Sequence, residues 1–168
     1  MRDAPANDAP FRVLAGVAFG EDVVVGPFTN LYGCEIGDDT RIGPFVEIQR
    51  GARVGARCKV QSHTFVCDGV TIEDEVFVGH GVLFVNDRLP RATTPHGELQ
   101  GPDDWELLRT VVERRASLGS GAVVLGGLRI GTGAVVAADV EPGATVAGVP
   151  ARVLAARRAA GAAAGRAP

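Results

Sequence analysis

Large aromatic rings are scarce in this chain: one Trp, one Tyr and seven Phe among 168 residues. An interior with so few rings must be filled by smaller side chains, and with 23 glycines this suits a thin core. Cysteine is also sparse. Three thiols, an odd number without metal-ligand spacing, exclude a disulfide framework and a cysteine zinc motif. Cys34 and Cys58 read as buried, reduced thiols. No apolar run approaches the ~18 residues that span a bilayer, and no signal-peptide pattern precedes Phe11. These absences point to a cytoplasmic, single-domain protein with a modest core. A net charge of −3 excludes nucleic acid as the main partner. The 3.6-residue apolar period of an amphipathic helix is missing as well.

A six-residue period stands in its place. Ile36, Ile42, Ile48, Val54, Val60, Val66, Ile72, Val78 and Phe84 recur without a slip. Four residues after each of the first eight comes a small one: Thr40, Val46, Ala52, Cys58, Thr64, Val70, Val76 and Val82. This is the pattern of a parallel β-helix, in which three units make one triangular coil and equivalent residues of successive coils stack at roughly 4.8 Å. The apolar and small positions point inward, and glycines beside the apolar residue ease the corners. The fold class is therefore all-β, a hexapeptide-repeat solenoid of about six coils.

The repeat begins imperfectly at Val17, with Val24 and Val25 straddling the register, and it breaks after Phe84. From Val85 to Arg109 three prolines, two glycines and several charges replace it. Long irregular segments of this kind are commonly functional. The stretch reads as a loop extruded from one corner (85–111 with its flanks), with Asp103–Leu108 suggesting a short helical turn. Periodicity resumes at Val112, Leu118, Val124, Ile130 and Val136. Residues 1–152 are expected to form the β-helix domain. From Val153 an Ala/Arg-rich stretch suggests a short C-terminal helix, with a frayed tail over 161–168.

These residues resemble the left-handed β-helix, hexapeptide-repeat acyltransferases. The resemblance implies the left hand of the coil and homotrimers that carry acetyl-CoA or another acyl-CoA in clefts between subunits. The segment Asp139-Val140-Glu141-Pro142-Gly143 to Ala147-Gly148-Val149-Pro150-Ala151-Arg152 looks like the part that closes the coenzyme cleft. A finer likeness lies in Asn30-Leu31-Tyr32-Gly33-Cys34-Glu35-Ile36-Gly37, Gly43-Pro44-Phe45-Val46-Glu47-Ile48-Gln49 and Val78-Gly79-His80. Phe84-Val85-Asn86-Asp87-Arg88-Leu89-Pro90-Arg91-Ala92 and Asp104-Trp105 complete it. Together they are similar to the N-acetyltransferases acting on the 3-amino group of UDP- or dTDP-linked 3-amino-3-deoxy sugars. The chain departs from that pattern in three places: 118–139 is one six-residue unit short, Arg115 stands where glycine is common, and Val149 where asparagine is common.

The resemblance implies roles residue by residue. Asn86 positions the sugar amine, where the residue by itself also reads as a cap on the loop root, and the proton leaves without a dedicated histidine base. Gly119, Ala137, Pro150 and Arg152 contact the coenzyme, Arg152 near the 3′-phosphate of CoA. From the residues themselves, His80 is either a corner histidine bonded along an edge or a base or substrate contact. His63 has the same alternatives. Counting along the repeat places His63 and His80 at one edge within contact range and has His80 and Asn86 flank the loop root, with Asn86 stacked above Asp68 and Arg50. Asp87, Arg88 and Arg91 pair with one another or bind a diphosphate, for which the planar arginine fork is suited. Trp105 stacks on a nucleobase or pins the loop.

Competing readings are an acyltransferase of the same fold that uses a histidine base, for sugar O-acetyl or 4-amino N-acetyl transfer, and a non-catalytic scaffold. A third is a γ-class carbonic-anhydrase-like metalloenzyme, against which stands the supply of ligands. His63 with His80 gives two histidines where zinc needs three protein ligands. No metal is expected.

Overall fold

The computed structural model describes residues 11–136 in full and the backbone of 145–147 and 152–154. Residues 11–136 form eighteen short parallel strands in three six-stranded sheets, one per face of a triangular solenoid. Face one runs through Val13–Ala15, Asn30–Tyr32, Glu47–Ile48, Phe65–Val66, Leu83–Phe84 and Val123–Val124. Face two includes Glu35–Ile36, Arg53–Val54, Val70–Ile72 and Thr110–Val112, and face three includes Arg41–Ile42, Lys59–Val60, Phe77–Val78 and Ser117–Leu118. Six strands per face make six coils, consistent with the left-handed β-helix of hexapeptide repeats.

The core is what the period required. All nine apolar positions from Ile36 to Phe84, and all eight small ones, are buried. Thr40 and Thr64 in the small slots turn their hydroxyls to corner carbonyls, of Gly55 at 2.7 Å and Gly79 at 3.1 Å. A buried hydroxyl needs such a partner, and a corner carbonyl supplies one.

The imperfect start has a simple origin. Val13 pairs with Asn30 and Asn30 with Glu47, whereas Glu47 pairs with Phe65 and Phe65 with Leu83. The first two steps are each one residue shorter than the later ones, which advance by three full units. The corners at Gly16 (φ 63°) and Gly33 (φ 58°) absorb the difference. At Thr71 the partner is Val111, far beyond the position that an ordinary coil would supply. The surplus chain leaves and rejoins the solenoid at the corner between faces one and two.

Two boundaries differ from the sequence expectation. Thr110 and Val111 belong to a strand and not to the loop. Arg152–Leu154 is a strand, paired antiparallel with Thr145–Ala147, so Val153 does not begin a helix; the rest of that stretch lies outside the described residues. The chain divides into compact units Met1–Ala138 and Asp139–Pro168. Among the described residues no helix is long and apolar enough to cross a membrane.

Charged side chains outside the core pair between coils. At the corner between faces two and three, Glu75 accepts from Arg114 (2.7 Å), Arg115 (2.7 Å) and Arg57 (3.0 Å). Arg115, placed where glycine is common, takes the left-handed φ of 62° and turns its side chain to this carboxylate. Hydrogen bonds from Arg114, Arg115 and Arg57, in that order, lower the Glu75 carboxyl to about 2. A depressed carboxyl stabilises the fold above its unfolded pKa, and that contribution is lost as pH falls through about 2. Side-chain carboxyl NMR should place the Glu75 midpoint near the same value, and Arg115→Ala or high salt should move it up toward the ordinary range.

All three cysteines are free and buried, and burial raises each thiol, Cys34 and Cys67 to about 11. A thiol reagent at mildly alkaline pH should modify none of them in the folded protein and all three in denaturant. Rapid labelling without denaturant would contradict this core.

Candidate functional site

Coil stacking aligns corner residues into columns. The loop leaves one such column after Val85, and Asn86 holds both of its ends. The Asn86 carbonyl accepts from Leu108 N at 2.9 Å, while its side-chain Nδ2 donates to the Asp68 carbonyl one coil below at 3.1 Å. Asn86 is thus stacked on Asp68 as expected and caps the loop root, and its Oδ1 has no protein partner among the described residues. Thr110 N bonds the Gly69 carbonyl at 3.1 Å, and Leu107 lies 3.2 Å from where a Cβ on Gly69 (φ 82°) would stand. A Cβ at Gly69 would push the Leu107 side chain aside by a few tenths of an ångström and would strain the left-handed backbone there.

Beyond the root the loop folds on itself. Thr93 and Leu99 form an antiparallel bridge, supported by Thr94 N to Glu98 O (2.8 Å) and Gln100 N to Ala92 O (3.1 Å). The expected helical turn at Asp103–Leu108 is absent; Asp104 Oδ2 instead accepts from Gly101 N at 2.7 Å, a local turn. The outgoing and returning limbs enclose a pocket of about 380 Å³ lined by Asp87, Arg88, Gln100, Asp104, Trp105 and Glu106, among others. The structure therefore brings together Asp87, Arg88 and Trp105. Asp87 Oδ1 caps Leu89 N at 2.8 Å, and Arg88 makes no ion pair among the described residues. Arg91 lies outside the pocket, exposed, with its guanidinium on the Pro90 carbonyl at 3.3 Å.

The histidines are placed differently from the count. His80 is one coil above Ser62, whose Oγ lies 2.9 Å from its Nδ1, and its backbone N–H donates to Ser120 Oγ at 3.0 Å. His63 instead stacks on Phe45 with ring centroids 4.9 Å apart, ending a ladder of Phe11, Phe28 and Phe45. Ladder residues share the left-handed corner conformation, φ 57–69°. One residue of offset puts His63 in a different column from His80, so the expected contact is replaced by Ser62–His80 and Phe45–His63. Nor do His80 and Asn86 flank the same root. They stand at opposite ends of face one, up to about 20 Å apart at the rise of a strand. Sequence counting passed over Ser62 and Ser120, although the pairing of Val78 with Val60 and with Leu118 aligns both with His80.

A hollow of about 640 Å³ lies along face two, where Arg53 is paired with Glu35 (2.9 Å) and Arg114 with Glu75 (2.7 Å). With its cations neutralised it offers few free donors. Gly119 follows the fifth strand of face three, Ser117–Leu118, its N–H bonded to the Val136 carbonyl of the sixth at 2.7 Å. Ala137 and Pro150, and the side chain of Arg152, lie outside the described residues. No group of three or more metal-ligating side chains occurs among the described residues.

Comparison with known proteins agrees with the coil. Residues 33–68 match the family model "Bacterial transferase hexapeptide (six repeats)", and 109–140 match "Hexapeptide repeat of succinyl-transferase". No curated protein matches the chain by sequence. Among solved structures, the acetyltransferase domain of PglB from Neisseria gonorrhoeae FA1090, in complex with acetyl coenzyme A, is 15% identical with a TM-score of 0.60, over 84% of this chain and 57% of that one. PerB from Caulobacter crescentus, in complex with CoA and GDP-perosamine, is 16% identical with a TM-score of 0.57, over 84% and 57%. A single-site mutant of AntD, an N-acyltransferase from Bacillus cereus, in complex with dTDP and coenzyme A, is 15% identical with a TM-score of 0.63, over 84% of both chains. The chain spans a little over half the length of the first two. At these identities the likeness is one of fold. By its repeats and its coil, this chain has a hexapeptide-repeat β-helix fold, which these solved structures share.

Proposed function

We propose that this protein is a cytoplasmic, acetyl-CoA-dependent N-acetyltransferase for the 3-amino group of a UDP- or dTDP-linked amino-deoxy sugar. The observation that carries the reading is the loop pocket, which gathers the chain's one tryptophan, an aspartate and an arginine that has no ion pair among the described residues, at the loop whose root Asn86 caps. A guanidinium suits a diphosphate and an indole suits a nucleobase. Of the solved structures above, one holds dTDP with coenzyme A and another GDP-perosamine with CoA, which supports a nucleotide and a coenzyme as ligands of this fold.

In this reading Asn86 Oδ1 accepts an N–H from the sugar amine and aims its lone pair. The amine attacks the thioester carbonyl, the C–S bond breaks, and the proton leaves with the thiolate. Holding the two reactants in register supplies most of the acceleration. Gly119, Ala137, Pro150 and Arg152 are assigned to the coenzyme, Arg152 to its 3′-phosphate. A homotrimer would place this loop against the edge of another copy. Arg91, beside the loop pocket, and His63, in the corner column at the other end of face one, are kept as substrate contacts.

A second reading, acyl transfer with His80 as general base, is favoured by the ring's exposure and by its bond to Ser62. Because His80 and Asn86 stand at opposite ends of one face, a single substrate group within one chain meets one of them and not both.

Two experiments test these assignments. Thiol release from acetyl-CoA should appear with 3-amino UDP- or dTDP-sugars and not with 4-amino ones. Asn86→Ala should lower kcat/KM about 100-fold, while His80→Ala leaves it within about threefold; the reverse pattern selects the histidine reading. As the one tryptophan, Trp105 also gives a direct binding signal. Its fluorescence should change on titration with dTDP or UDP, and Arg88→Ala should weaken that binding about tenfold. An unresponsive tryptophan would remove the nucleotide from the loop pocket.

A further inference from the structure

The corner leading into face one changes character along its length. Successive rungs of one column hold Pro27, Pro44, Ser62, His80 and Ser120, as the strand registers require. The corner itself needs no polar side chain there. Backbone bonds close it at each rung: Phe45 N to Pro27 O (3.1 Å), His63 N to Pro44 O (3.2 Å), Gly81 N to Ser62 O (2.9 Å) and Gly121 N to His80 O (2.7 Å). Proline, which has no N–H to donate, serves equally well in the lower coils.

His80 is nevertheless held from both sides. Ser62 Oγ from the coil below meets Nδ1 at 2.9 Å, and Ser120 Oγ from the coil above accepts the backbone N–H at 3.0 Å. The ring is exposed, and Nε2 has no protein partner among the described residues. Gly81 and Gly121 flank this rung, and a Cβ added to either would meet nothing within 4 Å. The space beside the ring is open. An exposed hydrogen bond adds little to stability and costs side-chain freedom, so fixing this ring serves the fold poorly.

We propose that Ser62 is a positioning residue that holds neutral His80 as its Nδ1–H tautomer, so that Nε2 carries the lone pair facing the open space. The inference rests on the reading in which His80 is the general base. A hydroxyl oxygen accepts from Nδ1–H in the neutral ring and in the imidazolium alike, so the Ser62 bond persists through proton uptake. As the acceptor nitrogen or oxygen bonds to the thioester carbon, its proton passes to Nε2. The C–S bond then breaks, and the departing thiolate recovers that proton, returning the ring to its starting tautomer. Without Ser62 the neutral ring would favour the Nε2–H form usual in water, which presents a proton where a lone pair is needed.

Nitrogen-15 NMR of the histidine side chains in the full chain, at alkaline pH and with His80 assigned by His80→Gln, reads the tautomer directly. The expected result is Nδ1–H in the parent protein, Nε2–H in Ser62→Ala, and Nδ1–H again in Ser62→Thr. With His80 as the base, steady-state turnover should follow: kcat lower by about five- to tenfold in Ser62→Ala, KM unchanged, and recovery in Ser62→Thr. A parent ring already in the Nε2–H form, or a tautomer indifferent to Ser62→Ala, overturns the proposal. The expected tautomers together with no acetyl transfer to any amine or hydroxyl acceptor support the Ser62 assignment and overturn the acyl-transfer reading on its own. A gain of one acetyl mass on the Ser62 peptide after acetyl-CoA treatment would make Ser62 a nucleophile and overturn the positioning role.

Discussion

Parallel backbone pairing between successive coils is the constraint from which the rest of this molecule follows. Each short strand bonds only to the equivalent strand one coil below and one above, as Phe65 does to Glu47 and Leu83. Equivalent side chains must therefore stack at the strand spacing of roughly 4.8 Å. Inward columns become a core of Val, Ile and Leu with small residues between them, Phe84 the largest side chain fully buried there. Outward columns become ladders: Phe11, Phe28, Phe45 and His63 in one corner, Glu75 with its arginines in another. A ladder repeats one environment, which makes a departure from it conspicuous.

Two departures carry the residues proposed for the chemistry. One is the corner column where the long loop intrudes and Asn86 keeps its ends together through its carbonyl and amide. The other is the column in which proline gives way to Ser62, His80 and Ser120. Both project from a rigid frame, so their geometry is set by neighbouring coils and not by the loops themselves.

Much of this was legible in the chain because the period ties sequence distance directly to position. Asn86 above Asp68, the buried thiols of Cys34 and Cys58, and the end of the repeat at Phe84 all follow from counting in sixes. Counting was weakest by one residue at the corners. His63 and His80 are one residue short of a full coil apart, so they belong to neighbouring columns where Val60 pairs with Val78. That offset separates a stacked ring from a hydrogen-bonded one. It also concealed Ser62, which as a lone serine carries no pattern of its own. The loop pocket was legible only as residue types, because Gln100 and Asp104 approach Arg88 through local turns that no period governs.

The sequence by itself determined the coil, its core and the place of its interruption, because six-residue repetition brings equivalent short strands into register once every three units. Tertiary structure decided which polar residues meet. It set Ser62 under His80, joined Asp87, Arg88 and Trp105 across the loop, and held Asn86 and His80 a face apart. Those outcomes depend on corner conformation and on the path of an irregular loop, where a shift of one residue redirects a side chain and no repeat records the shift.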